Sequence, residues 1–135
     1  MIQGILRRTI LVVDDEESVI RSLTATLAKL GLKVQVAQSG PEGIERFLRH
    51  REEILLVLAD IVMPGMYGIE LADELRKIDP EVKILLMSGY PERKPEADAA
   101  RGFGFIEKPI LAVQLLNAIE SLTGPVSGRS AEAEA

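Results

Sequence analysis

The stretch TILVVDDEE at residues 9–17 joins a short apolar run to four consecutive acidic residues. A second run, ILLVLAD at residues 54–60, also ends in an aspartate. Nearly continuous apolar runs of this length are typical of strands that are buried on both faces of a parallel sheet. Both stretches therefore predict strands of such a sheet, with carboxylates at their carboxyl ends.

Strand and helix signals alternate along the rest of the chain. The predicted strands are Thr9–Val13, Leu32–Ala37, Ile54–Ala59, Val82–Met87 and Phe103–Ile106. Helical spacing and capping signals predict helices over residues 19–30, 39–50, 69–75 and 112–122, and a fifth, containing Pro95, at 91–101. This alternation predicts an open parallel sheet covered by helices on both faces. We assign residues 9–123 to one domain, residues 1–8 to a lead-in and residues 124–135 to a disordered tail.

Composition narrows the classes of function. The 135 residues, 47% hydrophobic and 27% charged, are typical of one globular domain. The absence of cysteine excludes thiolate zinc sites and cysteine nucleophiles, and the single histidine, His50, is interpreted as a solvated residue. A net charge of −5 and only five aromatic residues argue against direct nucleic-acid binding. No run reaches the ~18–20 apolar residues of a membrane span, so we expect a cytoplasmic protein without membrane contact.

Polar residues that follow the predicted strands suggest a shared site. They are Asp14, Asp15, Asp60, Ser88 and Lys108. Ligands of such sheets bind beyond the carboxyl ends of the strands. Clustered carboxylates repel one another unless a cation joins them, and hard oxygen ligands suit Mg²⁺, which completes its shell with water and phosphate. A lysine and a hydroxyl can contact further phosphoryl oxygens. The set therefore predicts phosphoryl transfer to a carboxylate.

Each of these residues has a plainer interpretation when it is taken alone. Asp14 or Asp15 could cap the following helix, and Asp60 could belong to an ordinary loop with a Pro-Gly turn. Ser88 could be a turn residue, and Lys108 a solvated charge. Their joint occurrence at four strand ends favours the functional interpretation.

Four segments carry a resemblance to a known family. LVVDDEESV, LADIVMPGMYGIEL, ILLMSGY and FIEKPI resemble the receiver domains of two-component response regulators, from about Thr9 to Leu122. The resemblance implies a flavodoxin-like α/β fold: a doubly wound, five-stranded (βα)5 sheet with strand order 2-1-3-4-5. It also implies that Asp60 accepts a phosphoryl group from a phospho-histidine on a sensor histidine kinase or a histidine phosphotransfer protein.

Further roles follow from the same resemblance. Mg²⁺ is expected to bind Asp14, Asp15, Asp60 and the backbone carbonyl of Val62. Lys108 and Ser88 are expected to contact the phosphoryl group.

Ser88 and Phe105 are expected to form a switch that changes a protein-interaction surface, and the Lys108–Pro109 peptide bond is expected to be cis. Serine stands where the family more often has threonine, and Phe105 lacks a phenol oxygen. The 20 positions from Ser88 to Lys108 are slightly few for the family, which fits an irregular helix between them. We expect self-catalysed phosphorylation, slow hydrolysis and output through an unidentified downstream protein.

Two other classes remain open at this point. A receiver fold can serve as an interaction module without phosphorylation, although such a module has no need of the metal-phosphate residues. A nucleotide- or flavin-binding α/β domain would have a glycine-rich turn after the first strand. The acidic sequence VVDDEE stands there instead.

Overall fold

A computed structural model describes residues 7–89 and 102–126 of the chain. The strands are β1 (Thr9–Val13), β2 (Lys33–Ala37), β3 (Ile54–Asp60), β4 (Ile84–Ser88) and β5 (Gly104–Glu107). The helices are α1 (Glu17–Lys29), α2 (Gly40–His50), α3 (Gly68–Ile78) and α4 (Ala112–Thr123). All five strands are parallel and lie in the order β2-β1-β3-β4-β5, which confirms the predicted fold class. The helix predicted at 91–101 lies outside the described residues.

Helices cover the sheet on both faces, and this explains the continuous apolar runs. Ile10 and Val12 of β1 belong to the cluster that packs against α1 and α4. Their neighbours Leu11 and Val13 belong to the opposite cluster, which packs against α2 and α3. Successive side chains of a strand point to opposite faces, so a strand in the middle layer needs apolar residues at every position.

Strands β3, β4 and β5 each end one residue later than the sequence predicted. β3 includes Asp60, which pairs with Met87 of β4, and β4 includes Ser88, which pairs with Glu107 of β5. At its other end β4 begins at Ile84 rather than at Val82. The Val82 amide bonds to the carbonyl of Asp79 at 3.1 Å, which keeps Val82 in a turn. The polar residues Asp60 and Ser88 are therefore held by the sheet itself.

Capping signals place the ends of α2 and α4. The Ser39 hydroxyl accepts a hydrogen bond from the Glu42 amide at 3.2 Å, as the predicted N-terminal signal requires. The Glu42 carboxylate reaches back to the Gln38 amide at 2.8 Å, one residue before the capping residue. At the other end of the chain α4 is followed by Gly124 at a φ of +84°, a backbone conformation that favours glycine.

The first residues of the predicted tail pack against the domain. Val126 is 6% exposed and belongs to the cluster beneath α1 and α4. Its amide donates a hydrogen bond to the Glu120 carboxylate at 3.0 Å. The packed structure thus extends beyond the predicted domain end at residue 123, because the apolar Val126 packs against the domain. None of the helices described is long and apolar enough to cross a membrane.

Candidate functional site

Three carboxylates meet where β1 and β3 end. Asp14 and Asp15 follow β1, and Asp60 is the last residue of β3. One oxygen from each carboxylate lies within 4.8 Å of the others. Asp14 is fully buried and Asp60 is 7% exposed, whereas Asp15 faces solvent. The predicted acidic residues therefore form one cluster with an accessible side, a donor set that suits a hard divalent cation.

The backbone around Asp14 holds its carboxylate in the cluster. Its amide donates to the Ala37 carbonyl at 3.1 Å, and its Oδ1 accepts a hydrogen bond from the Glu16 amide at 2.9 Å. Glu16 is the N-cap residue of α1, without a side-chain cap bond. Neither Asp14 nor Asp15 is thus the helix cap that the plainer interpretation required.

A tight loop after β3 supports Asp60. The Ile61 amide donates to the Met87 carbonyl at 2.9 Å, and the Gly68 amide donates to the Ile61 carbonyl at 2.8 Å. A Cβ atom on Gly68 would overlap the Asp60 carbonyl oxygen, so only glycine allows this approach. The backbone amide of Val62 acts to lower the pKa of the Asp60 carboxylate. Val62 also lines an open groove that Asp15 borders.

Lys108 places one positive charge between the carboxylates. Its Nζ lies 3.2 Å from Asp14 Oδ2 and 3.4 Å from Asp60 Oδ2. The Lys108 amide donates to the Ser88 carbonyl at 2.8 Å, which joins the end of β5 to the end of β4. The Lys108–Pro109 bond is cis, as the resemblance implied. Residues 94 positions apart in sequence thus form a direct ion pair.

Burial and neighbouring charges shift the pKa values of Asp60 and Lys108. Burial raises the pKa of Asp60 above its usual value, opposed by the nearby Lys108 ammonium and assisted by the negative charge of Asp14. Burial acts to lower the pKa of Lys108, but the charges of Asp60 and Asp14 together outweigh it and raise that pKa. Lys108 therefore stays protonated, and its single charge leaves the three-carboxylate cluster with a net negative charge.

Ser88 and Phe105 lie on adjacent strands at the edge of this cluster. Leu86 pairs with Phe105 across β4 and β5, and Ser88 follows Leu86 by two positions. The alternation of a strand therefore gives Ser88 the face that Leu86 and Phe105 share. Ser88 is buried, and Phe105 is half-buried against the cluster beneath α2 and α3.

Two contacts had not been predicted from the sequence, one at the site and one at the opposite, amino-terminal edge of the sheet. Glu16 Oε1 lies 3.9 Å from Lys108 Nζ, and the signal for it was its position directly after the two aspartates. The Arg76 guanidinium lies 4.8 Å from the centre of the Phe103 ring and bonds through Nε to the Val82 carbonyl at 3.1 Å. No local pattern relates α3 to the start of β5, so this second contact had no sequence signal.

Comparison with known proteins now identifies the class that this fold and site define. The response regulator receiver domain family matches residues 10–120. The chain belongs to this family and is a receiver domain of two-component signalling. The flavodoxin-like fold predicted from the resemblance is confirmed.

Curated relatives include single-domain and multidomain proteins. The chain is 36% identical over 117 residues to the response regulator receiver protein CpdR of Brucella abortus, covering 85% of this chain and 96% of CpdR. It is 34% identical over 113 residues to the chemotaxis protein CheY of Bacillus subtilis, covering 82% of this chain and 92% of CheY. It is 37% identical over 118 residues to the sensor kinase CckA of Brucella abortus, covering 84% of this chain but spanning only 12% of CckA.

Solved structures of receiver domains have the same fold as this chain. The chain resembles a chain of the CheX–CheY–BeF3–Mg²⁺ complex from Borrelia burgdorferi with a TM-score of 0.81 and 26% identity, covering 89% of this chain and 91% of that chain. It resembles the response regulator TrrA of Thermotoga maritima, which was solved with Mg²⁺–BeF. The TM-score is 0.77 and the identity 30%, and the match covers 85% of this chain and 98% of the TrrA chain.

Proposed function

We propose that this receiver domain accepts a phosphoryl group on Asp60 from a phospho-histidine of a partner protein. One observation carries the proposal: Lys108 bridges Asp14 and Asp60 at an accessible cluster of three carboxylates. A carboxylate nucleophile beside a fixed ammonium group and a cation site is the arrangement that phosphoryl transfer needs, because positioning and charge compensation supply most of its catalysis.

The chemical step is a displacement at phosphorus. A carboxylate oxygen of Asp60 forms a bond to phosphorus while the bond from phosphorus to the imidazole nitrogen breaks. The electron pair of the broken bond goes to that nitrogen, and the product on Asp60 is an acyl phosphate. Attack by water on this acyl phosphate returns inorganic phosphate and the free carboxylate, which is the proposed slow self-hydrolysis.

Asp14, Asp15, Asp60 and the Val62 carbonyl are the proposed protein ligands of Mg²⁺. When bound, Mg²⁺ neutralises carboxylate charge and holds a phosphoryl oxygen. Two observations support this metal: the donor set is all oxygen, and one carboxylate of the cluster is open to solvent while the others are buried. The structures of the related TrrA and of the CheX–CheY complex were determined with Mg²⁺ and a beryllofluoride group.

Lys108 and Ser88 are the proposed contacts for the remaining phosphoryl oxygens. The Lys108 ammonium already lies 3.4 Å from Asp60, so it can exchange part of that contact for a phosphoryl oxygen. Ser88 ends the strand beside β3 and is joined to Lys108 through the backbone. A change of the Ser88 position can reach Phe105 on the same face and alter the surface that a downstream protein recognises.

A groove beside Lys108 supports a protein as the phosphoryl donor. It runs between α1 and the segment after β5, and Val19, Leu23, Pro109 and Ile110 contribute its apolar walls. Lys108 also lines this groove, so a histidine carried by a docked protein can approach the site. Sensor histidine kinases and histidine phosphotransfer proteins are the proposed donors.

Intact mass measurement tests the assignment of Asp60. Treatment of the wild type with acetyl phosphate and Mg²⁺ should add the mass of one phosphoryl group. Asp60→Asn should add none, because an amide oxygen is a poor nucleophile. Asp73→Asn, the same substitution on α3, should react as the wild type does. Equal incorporation by Asp60→Asn would refute the assignment, and none by the wild type would favour an interaction module without phosphorylation.

A further inference from the structure

Glu16 is a fourth carboxylate at the site, and it differs from the other three in its place. Its side chain is 62% exposed, yet its Oε1 lies 3.9 Å from Lys108 Nζ. Asp14 and Asp60, which contact the same ammonium group, are both buried. Glu16 therefore stands on the solvent side of Lys108, where a phosphoryl donor must enter.

Hydrogen bonds hold the main chain of Glu16 at the start of α1. The Glu16 amide donates to Asp14 Oδ1 at 2.9 Å, and the Glu16 carbonyl accepts a hydrogen bond from the Ile20 amide in the first turn of α1 at 3.1 Å. Glu16 and Asp60 also contact one ammonium nitrogen, so their carboxylate oxygens are no farther apart than the sum of those two distances. This separation is shorter than the Debye length of about 10 Å at 0.1 M salt, so the two charges interact.

The charge balance of the site leaves the charge of Glu16 without an offset. The three carboxylates of Asp14, Asp15 and Asp60 are offset by Lys108 and one divalent cation. Glu16 then remains as a surplus negative charge at the entrance. Repulsion by a fixed charge grows in proportion to the charge of the approaching group.

We infer that Glu16 is a specificity-determining residue that slows small anionic phosphoryl donors in proportion to their negative charge. Donors on a protein surface that carries cationic side chains are not slowed in this way, because those side chains offset the Glu16 charge. The inference rests on the proposed function and adds to it a preference between donor classes.

Two small donors of different charge provide the test. Acetyl phosphate carries two negative charges at neutral pH, and phosphoramidate carries one. Glu16→Gln should raise the initial rate of Asp60 phosphorylation about fourfold with acetyl phosphate and about twofold with phosphoramidate at low salt. Both gains should fall toward unity in about 1 M salt, where the Debye length is ~3 Å.

The neighbouring residue supplies a matched control. Glu17 is equally acidic and 75% exposed, but it lies 3.8 Å from Arg21 within α1. Glu17→Gln should leave both rates close to those of the wild type. Equal, salt-independent gains with both donors in Glu16→Gln would overturn the inference, because they would indicate an effect through the position of Lys108. Unchanged or lower rates would also overturn it.

A binding measurement separates this inference from the proposed function. Beryllofluoride is an anion that needs no transfer step, and NMR titration of backbone amides in the presence of Mg²⁺ gives its half-saturation concentration. Glu16→Gln should lower that concentration about twofold at low salt. Equal binding by wild type and variant would refute the role of Glu16, whereas no binding by either would refute the proposed phosphoryl site itself, and the inference with it. Normal binding without phosphorylation of the wild type would instead refute the proposed transfer to Asp60.

Discussion

Asp15 differs from the other two aspartates of the cluster in its contact with solvent. Asp14 and Asp60 are both in contact with Lys108, and Asp15 has no ion pair with a cation among the contacts described in residues 7–89 and 102–126. Its carboxylate therefore adds negative charge to the cluster at the accessible edge. At the scale of single residues, this is the side chain whose charge should affect cation binding without loss of a buried ion pair.

Asp15→Asn should weaken the stabilisation of the fold by Mg²⁺. A ligand at ten times its dissociation constant stabilises the folded state by roughly 1.4 kcal/mol, which is about 5 °C in Tm for a domain of this size. We expect a shift of that order in the wild type and a much smaller one in Asp15→Asn. Thermal unfolding followed by circular dichroism, with and without Mg²⁺, measures both.

Asp73→Asn on α3 should show the same increase in Tm on addition of Mg²⁺ as the wild type. The Mg²⁺-free form of Asp15→Asn should be at least as stable as the wild type, because one repelling charge has been removed. An Mg²⁺ shift in Asp15→Asn equal to that of the wild type would contradict the proposed metal site.

At the scale of secondary-structure elements, the residues of the site lie together because they follow or end strands at one edge of the sheet. β1, β3 and β5 end near the carboxylates and Lys108, and the amide directly after each strand donates to a carbonyl of a neighbouring strand. The amino-terminal end of helix α2 is stabilised by the Glu42 carboxylate. The Gln38 amide and then the Arg46 guanidinium bond to the Glu42 carboxylate, and these bonds lower its pKa although partial burial opposes them.

Glu42→Gln should therefore destabilise the domain in a pH-dependent way. Because the folded-state pKa of Glu42 lies below its unfolded value of about 4.5, its carboxylate stabilises the fold above that pH. The contribution is lost as the pH falls through the folded-state pKa. The side chain is about one-third exposed, so solvent screening limits the loss to roughly 0.5 kcal/mol at pH 7.

Urea unfolding at a series of pH values from 7 to 3.5 measures this loss. The difference between wild type and Glu42→Gln should shrink below about pH 4.5, where the unfolded Glu42 becomes protonated. Glu45→Gln is the control, because Glu45 bonds to Arg49 alone among its described contacts. A pH-independent difference for Glu42→Gln would show that the charge of Glu42 does not stabilise α2.

At the scale of the whole molecule, the proposed switch would connect the site to Phe105 on β5 through one face of the sheet. Ser88 and Phe105 share the face that packs beneath α2 and α3. A hydrogen bond to a charged acceptor contributes ~1.5–3 kcal/mol. A bond from Ser88 to a phosphoryl group could thus shift a two-state equilibrium roughly 10–150-fold. Because Phe105 has no hydroxyl, an inward ring needs no polar partner.

Ser88→Ala should uncouple Phe105 from the site. The variant should still be modified at Asp60, more slowly than the wild type, because Ser88 does not provide the nucleophile. NMR of ring-labelled Phe105, with and without saturating beryllofluoride and Mg²⁺, measures the coupling. We expect a large ring shift in the wild type and a small one in Ser88→Ala. Equal shifts would show that the coupling does not run through this hydroxyl.

The sequence by itself determined the fold class and the residues gathered at the strand ends. Runs such as ILVV and ILLVLA leave no polar face and, in alternation with helical segments, indicate a sheet covered on both sides. Parallel strands present their carboxyl ends at one edge, and this places Asp14, Asp60 and Lys108 together before any distance is known. These features are local patterns combined with a general rule of topology.

Only the tertiary structure decided the contacts that depend on register. The pairing of Asp60 with Met87, and of Ser88 with Glu107, made both polar residues part of the sheet. The 3.9 Å contact of Glu16 with Lys108 joins positions 92 apart, and no periodicity relates them. The physical reason is that local propensity fixes which residues form an element, whereas the relative offset of two elements is set by the packing of both faces together.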